Sequence, residues 1–323
     1  MRSSTGLHHI TAISGDPQET FDFYAGVLGM RLVKRTINQD VPDTYHLYFA
    51  DAAGSPGTNL TFFPWPSMPP RRDGAGQWAE ISLAVDGSSL AYWQDRLEAA
   101  GVDVAPMEWR FDERVLPFVD PHGLRLALVE SVDGEGHGSV SWDASPVPAA
   151  CQILGFGGVR LVERDETATA AFLARTLGFA RSERDGEWTR FTVGDGLPGG
   201  RIELRVDADA KRGQWGVGAV HHVAWRASDE AHQDELRGRV VEAGGHPTGV
   251  IDRFWFKSVY VKEPGGALLE VATDGPGFAV DEDPDHLGER LVLPPWFEER
   301  RAEVEAALPP LTTGGRSVRT PAR

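Results

Sequence analysis

The chain has 323 residues, 41% hydrophobic and 25% charged, with a net charge of −16. This length exceeds one ordinary core and points to two domains of soluble, globular composition. The acid excess excludes a nucleic-acid partner, whose phosphates demand Lys/Arg stripes, and no apolar run approaches the roughly 18 residues that would mark a membrane partner. The first residues lack the basic-then-apolar pattern of a secretory signal. The single cysteine, Cys151, excludes an internal disulfide framework and fits a cytoplasmic location, where it reads as an inert thiol. The basic bias of Arg316 to Arg323 reads as a frayed tail.

Along the chain one unit recurs four times: an apolar strand, a helix ending at Gly, then three strands. In the first unit Leu7 to Ile13 is the strand. Phe21, Tyr24 and Leu28 give Pro17 to Leu28 one apolar helical face, stopped by Gly29. Strands are expected at Arg31 to Ile37, Tyr45 to Ala50 and Asn59 to Phe63. The second unit opens at Trp78 to Val85 and continues through Leu90, Trp93 and Leu97 to Gly101. The third opens at Ile153 to Val162, with Phe172, Leu173 and Leu177 before Gly178. The fourth opens at Ala219 to Arg226, with Leu236 and Val240 before Gly244. A Pro/Gly turn precedes each final strand: Pro56-Gly57, Pro121-His122-Gly123, Pro198-Gly199-Gly200 and Pro264-Gly265-Gly266.

A βαβββ unit cannot bury its sheet face alone, so the units must pair. The expected class is α+β, four βαβββ modules paired into two barrel-like domains. The first two modules span 1–135 and the last two 149–278, and 279–323 forms a tail with a short helix from Pro295 to Leu308. The stretch Asp133 to Pro148, rich in Gly, Ser, Asp and Pro, reads as the linker. The cluster Asp281, Glu282, Asp283 and Asp285 lacks the spacing and the Gly of a calcium loop, and reads as a solvated acidic turn.

Chemistry concentrates in three places. Two histidine doublets, His8-His9 and His221-His222, occupy matching positions in the first strands of units one and four. Glu270 lies in the apolar run Leu268 to Ala272, where an unpaired charge is costly. Counting four residues from each final turn glycine gives Thr61, Ala127 and Leu204 in the other units, with Glu203 one position off. A lone strand histidine is usually a core or surface residue, but two doublets in register raise the odds of a shared site. Two imidazoles and one carboxylate from separate strands suit an open non-haem Fe(II) centre. Strand alternation lets one His of each doublet reach the metal. The site then requires units one and four to share one half-shell and units two and three the other.

The repeat, the doublets and Glu270 resemble the vicinal oxygen chelate superfamily, which includes glyoxalase I, fosfomycin-resistance proteins and extradiol dioxygenases. More narrowly the chain is similar to ring-cleaving dioxygenases acting on hydroquinones. The matching segments are Leu7-His-His-Ile-Thr11, Val33 to Thr36, Tyr45 to Asp51, Val220-His-His222 and Glu270-Val-Ala-Thr273. The resemblance implies His9, His222 and Glu270 as metal ligands for Fe(II), or Mn(II) in its place. It also implies substrate-contacting roles for Tyr260 and Arg253, and supporting roles for His8 and His221. Direct substrate contact by either of those two histidines needs a bulge. Catechol-cleaving relatives take a histidine from the first strand of the third unit, and Leu154 to Gly158 has none. The implied partners are a small aromatic substrate and O2, with homo-oligomerisation left open. Two alternatives stand beside this reading: a glyoxalase-like metal-dependent lyase or isomerase, and a non-catalytic aromatic- or drug-binding protein. The first commonly uses four protein ligands, and Thr61 occupies the fourth place.

Overall fold

The computed structural model describes residues 2–131, 138–194 and 199–313. Unit one contains β1 (Leu7–Ser14), α1 (Pro17–Phe21), β2 (Arg31–Asn38), β3 (Val41–Ala50) and β4 (Asn59–Pro64). Unit two contains β5 (Gln77–Asp86), α2 (Leu90–Ala99), the short β6 (Asp103–Val104) and β7 (Glu108–Arg110), then β8 (Glu113–Val119) and β9 (Arg125–Ser131). Unit three contains β10 (Gly155–Glu163), α3 (Glu166–Thr176), β11 (Ala180–Asp185), β12 (Trp188–Thr192) and β13 (Arg201–Val206). Unit four contains β14 (Val220–Ala227), α4 (Glu230–Glu242), β15 (Ile251–Asp252), β16 (Lys257–Lys262) and β17 (Leu268–Thr273), and α5 (Arg301–Ala307) lies in the tail.

Units one and four form one eight-stranded sheet, ordered β15-β16-β17-β14-β1-β4-β3-β2. Units two and three form a nine-stranded sheet whose path runs β11-β12-β13-β10-β5-β9-β8-β6, with β7 paired to β8. Each half of the chain therefore gives one unit to each sheet. Both sheets curl into half-barrels joined at a seam of first strands, β1 against β14 and β5 against β10, both antiparallel. One contiguous core runs from Ile10 and Phe62 through Trp93 and Leu128 to Leu173 and Leu236.

Local signals repeat with the units. Asp16, Asp86, Asp165 and Asp229 each stand at or just past the end of a first strand and accept backbone N–H bonds from the helical turn that comes next. Each helix ends before a left-handed glycine: Gly29, Gly101, Gly178 and Gly244. The first helix departs from the expected form. After Phe21 the backbone widens into a π-helical run, Asp22–Val27, which buries Phe23, Tyr24 and Ala25 together and lets Tyr24 donate to Asp120 at 3.0 Å.

The stretch read as a linker lies partly outside the described residues; its part from 138 to 148 carries no helix or strand, but it packs closely and is not loose. Val140 N–H donates to Asp51, Ser145 Oγ to the Gly29 carbonyl, and Val147 is buried against Gly29. Nor is the acidic turn simply solvated. Lys34 has no solvent exposure and meets Asp281 at 2.8 Å and Glu282, with its ammonium over the Trp255 ring. A buried ammonium requires such partners. The tail then covers the outer edge strand, where Val292 N–H donates to the Arg35 carbonyl, and it buries Leu293, Phe297, Val304 and Leu308. The expected terminal helix is 3-10 over Pro295–Arg300 and α-helical thereafter. Pro198 and the basic stretch from Arg316 to Arg323 lie outside the described residues.

The half-barrels also meet where Glu163, at the end of β10, approaches Gly265. Its carboxylate fills the place a Cβ would take there, which only glycine permits. Burial and the neighbouring Glu263 raise the Glu163 carboxyl to about 8. The folded chain thus keeps a proton that the unfolded chain releases in the usual carboxylate range, so this group's contribution falls as pH rises from about 5 to 8. Glu163→Gln is expected to flatten the wild-type decline in Tm over that window and to melt higher than wild type at pH 8. A calorimetric melting series showing parallel curves would contradict this.

Candidate metal centre

The eight-stranded sheet sets the site by register. Glu270 on β17 lies opposite Ala224 on β14, and Ala224 lies opposite His9 on β1. His222, two residues before Ala224, therefore shares its face and pairs with Thr11. On the far side of β17, Tyr260 of β16 faces Glu270. The β1–β14 ladder slips twice. Leu7 and His9 pair with Trp225 and Ala224, leaving His8 as an extra residue. Thr11 and Ala12 pair with His222 and Val220, leaving His221. These two bulges break strict alternation and place both rings of each doublet side by side.

The result is a compact donor set. His9 Nε2 lies 3.2 Å from His222 Nε2 and 3.3 Å from Glu270 Oε2, and His222 Nε2 lies 3.0 Å from the same oxygen. All three side chains are buried, Glu270 with no solvent exposure. Glu270 Oε2 nevertheless has no hydrogen-bond partner, and the three atoms face a common point. Donors at right angles with bonds of about 2.1 Å to one ion lie about 3 Å apart, so this triangle fits one face of an octahedron. Among the described residues it is the one such group of three His, Cys, Asp or Glu side chains.

Electrostatics supports the same arrangement. Burial alone would raise the Glu270 carboxyl, yet the two imidazoles hold it well below the usual carboxylate range. Burial pushes the His222 imidazole toward its neutral, ligating form. His8 and His221 are both lowered to about 3, chiefly by burial, and so are neutral. Their Nδ1 atoms sit 2.9 and 2.8 Å from Nδ1 of His9 and His222. With His8 and His221 as the acceptors, His9 and His222 carry their proton on Nδ1 and each turns an Nε2 lone pair toward the common point. His221 also stacks on Trp215, with ring centroids 4.3 Å apart. Ser258 Oγ donates to the second Glu270 oxygen at 2.6 Å.

Tyr260 and Arg253 line the cleft over the three donors together with His46, Tyr48, Phe63 and Phe256. Arg253 pairs with Asp40 at 2.8 Å and lies 5.6 Å from the Tyr260 ring centre, held by a turn in which Phe254 has φ +75°. Burial and the Glu270 charge raise the Tyr260 phenol above its ordinary value. His46 and Tyr48 were not singled out from the sequence, although Tyr45 to Tyr48 alternates so that both share a face. They end a hydrogen-bonded chain: Thr11 to Thr61 at 2.7 Å, Thr61 to His46 at 2.9 Å, His46 to Tyr48 at 2.9 Å.

Register also sorts the four units. Thr61 pairs with Thr11 as Glu270 pairs with Ala224, so unit one has a hydroxyl where unit four has its carboxylate. Arg160 pairs in the same way with Glu203. Counting from the turn glycine gave Leu204, and the ladder corrects this: unit three does offer a carboxylate, committed to Arg160 at 2.8 Å and Arg190 at 2.7 Å.

Residues 6–128 and 155–271 match the family model for the glyoxalase/bleomycin resistance protein/dioxygenase superfamily. The chain belongs to this superfamily. It is 42% identical to a Bacillus subtilis (strain 168) protein provisionally named ring-cleaving dioxygenase MhqO, over 96% of this chain and 97% of that one. It is 33% identical to the chlorohydroquinone/hydroquinone 1,2-dioxygenase of Sphingobium indicum, covering 93% of this chain and 94% of that one. The crystal structure of a provisionally assigned dioxygenase from Bacillus subtilis superposes with a TM-score of 0.91 at 41% identity, covering 98% and 100% of the two chains. Maize glyoxalase I, at 15% identity and a TM-score of 0.62, shares the fold over 83% of this chain and 92% of that one.

Ser258 tests the carboxylate's support within this superfamily site. Ser258→Ala is expected to weaken divalent-metal binding roughly 10- to 100-fold while leaving circular dichroism unchanged. Unaltered affinity in a metal titration would show that the Ser258 hydroxyl does not orient Glu270.

Proposed function

We propose that this chain is an Fe(II)-dependent dioxygenase that opens the ring of a hydroquinone or related dihydroxylated aromatic with O2. The observation carrying this reading is the buried triangle of His9, His222 and Glu270, with Thr61 where a fourth carboxylate would stand. A glyoxalase-type site commonly uses four protein ligands, whereas three facial ligands leave adjacent positions free for substrate and O2. The 33% identity to a chlorohydroquinone/hydroquinone 1,2-dioxygenase supports the substrate class.

In this reading His9, His222 and Glu270 hold Fe(II), with Mn(II) as the substitute. When bound, the ion supplies Lewis acidity toward a phenolic oxygen and electron exchange with O2. Two neutral imidazoles and one carboxylate leave a divalent ion one positive charge, which favours a substrate that has lost a phenolic proton. Arg253, kept in place by Asp40, holds an anionic ring oxygen. Tyr260, its phenol raised further above an already alkaline ordinary value, is protonated at neutral pH and donates a hydrogen bond where negative charge develops. His8 and His221 hold the ligand rings and do not touch substrate. Phe63 and Phe256 give the cleft apolar walls. The bond opened joins a hydroxyl-bearing ring carbon to its neighbour. The single, half-buried Cys151 accords with a cytoplasmic enzyme.

Metal analysis combined with oxygen uptake tests the proposal. One iron per chain and O2 consumption matched to hydroquinone loss are expected. Oxygen-independent turnover of a methylglyoxal–thiol adduct would replace it with an isomerase, and binding without turnover would replace it with a sequestering protein. Tyr260→Phe is expected to lower kcat on the order of 100-fold with iron content near wild type. Full turnover would remove Tyr260 from the mechanism.

A further inference from the structure

The second half-barrel lacks the donor triangle but is not an empty copy of the first. Its seam pairs Arg160 with Glu80, and Arg160 with Glu203, at the places where the first sheet presents its metal-site row. Above them opens a cavity of about 470 Å³, within the roughly 300–1,000 Å³ typical of small-molecule sites. Six cations line it, Arg71, Arg72, Arg125, Arg160, Arg205 and Lys211, against three carboxylates, Asp73, Glu80 and Asp207. In a chain of net charge −16 this is a local reversal of sign.

The cations are only partly neutralised. Arg160 is taken up by Glu203 at 2.8 Å. Arg71 and Arg125 share one partner, Asp73, at 3.4 and 2.6 Å. Arg72 reaches the uncharged amide of Gln214. Arg205 approaches only the exposed Glu187, at 3.9 Å, and its buried Nε has no hydrogen-bond partner. Among the described residues Lys211 makes no ion pair, although it lines the cavity. Trp188 lies beneath the guanidiniums of Arg160 and Arg205, with their central carbons 4.3 and 5.4 Å from its ring centre, which fixes their planes.

The wall of the cavity is itself fixed. The crossover from unit one to unit two carries Arg71 and Arg72, and the crossover from unit three to unit four carries Lys211. The two segments are zipped together by backbone bonds: Arg71 N–H to Val217, Arg72 N–H to Gln214, Ala75 N–H to Lys211. Donors held on such a frame bind without a large ordering cost.

The geometry points to a second ligand site here, taking a small multivalent oxyanion: a phosphoryl compound or a short dicarboxylate. Guanidiniums recognise both through paired N–H bonds to two oxygens. The site is separate from the His9, His222 and Glu270 cleft and does not depend on what that cleft does.

Titration calorimetry of the metal-loaded protein at low ionic strength tests it, with inorganic phosphate and maleate as probes and chloride as the reference anion. Saturable binding of phosphate or maleate at one site per chain is expected. The tighter probe identifies a phosphoryl or a carboxylate ligand. Lys211→Ala should weaken the preferred probe on the order of 10-fold, and Lys211→Glu should abolish binding. Arg205→Gln, which keeps the side chain's bulk, should weaken binding comparably, whereas Glu270→Gln should leave it intact. Failure of both probes to bind above chloride would overturn the proposal, as would binding indifferent to Lys211→Glu and Arg205→Gln.

Discussion

A carboxylate with no solvent exposure sits between two imidazole nitrogens, and much of the molecule is arranged around that constraint. An ionised Glu270 in an apolar strand is tolerated only with compensating charge or strong donors. Ser258 satisfies one of its oxygens, and the other faces His9 and His222 without a hydrogen bond. A cation at the common point would supply what these partners lack. The demand explains why β17 is interior, flanked by β14 and β16, and why His9 and His222 each have a second imidazole behind them.

The seam of first strands turns an internal repeat into a site. Because β1 and β14 run antiparallel across a pseudo-twofold relation, the same position in each unit arrives from opposite directions. The paired slips at His8 and His221 are a symmetric device, each adding one residue so that a doublet presents both rings together. The sister seam also slips, at Gly157 and Ala79, where no imidazole is present. The backbone device is thus common to both half-barrels and the side chains decide its use. In one it gathers two imidazoles and a carboxylate into a triangle that could hold a metal ion. In the other it gathers arginine and glutamate, and Glu203, the counterpart of Glu270, is neutralised by guanidiniums.

The fold was largely legible because its signals are local and repeated. Apolar strands, terminal glycines and Pro/Gly turns recur at fixed places, and the exchange of units between sheets follows once His9 and His222 must meet. The helix starts at Asp16, Asp86, Asp165 and Asp229 carried an equally clear signal that periodicity alone does not read. The π-helical run after Phe21 was not legible, since its apolar spacing also fits an α-helix and tertiary burial of Tyr24 decides the matter. Nor was Lys34, whose partners Asp281 and Glu282 lie more than two hundred residues away. In the candidate site, the two histidine doublets were visible through repeat position and Glu270 through its apolar run, and the family resemblance picked His9 and His222, while His46 and Ser258 were not visible. Their meaning lies in which neighbour they touch across a ladder, and sequence spacing does not contain that.

The most direct test of the account is anomalous X-ray diffraction from crystals loaded anaerobically with Fe(II). The account requires a single strong iron peak about 2.0 to 2.3 Å from His9 Nε2, His222 Nε2 and Glu270 Oε2. A peak elsewhere, or one that leaves any of these three atoms unbound, would contradict it.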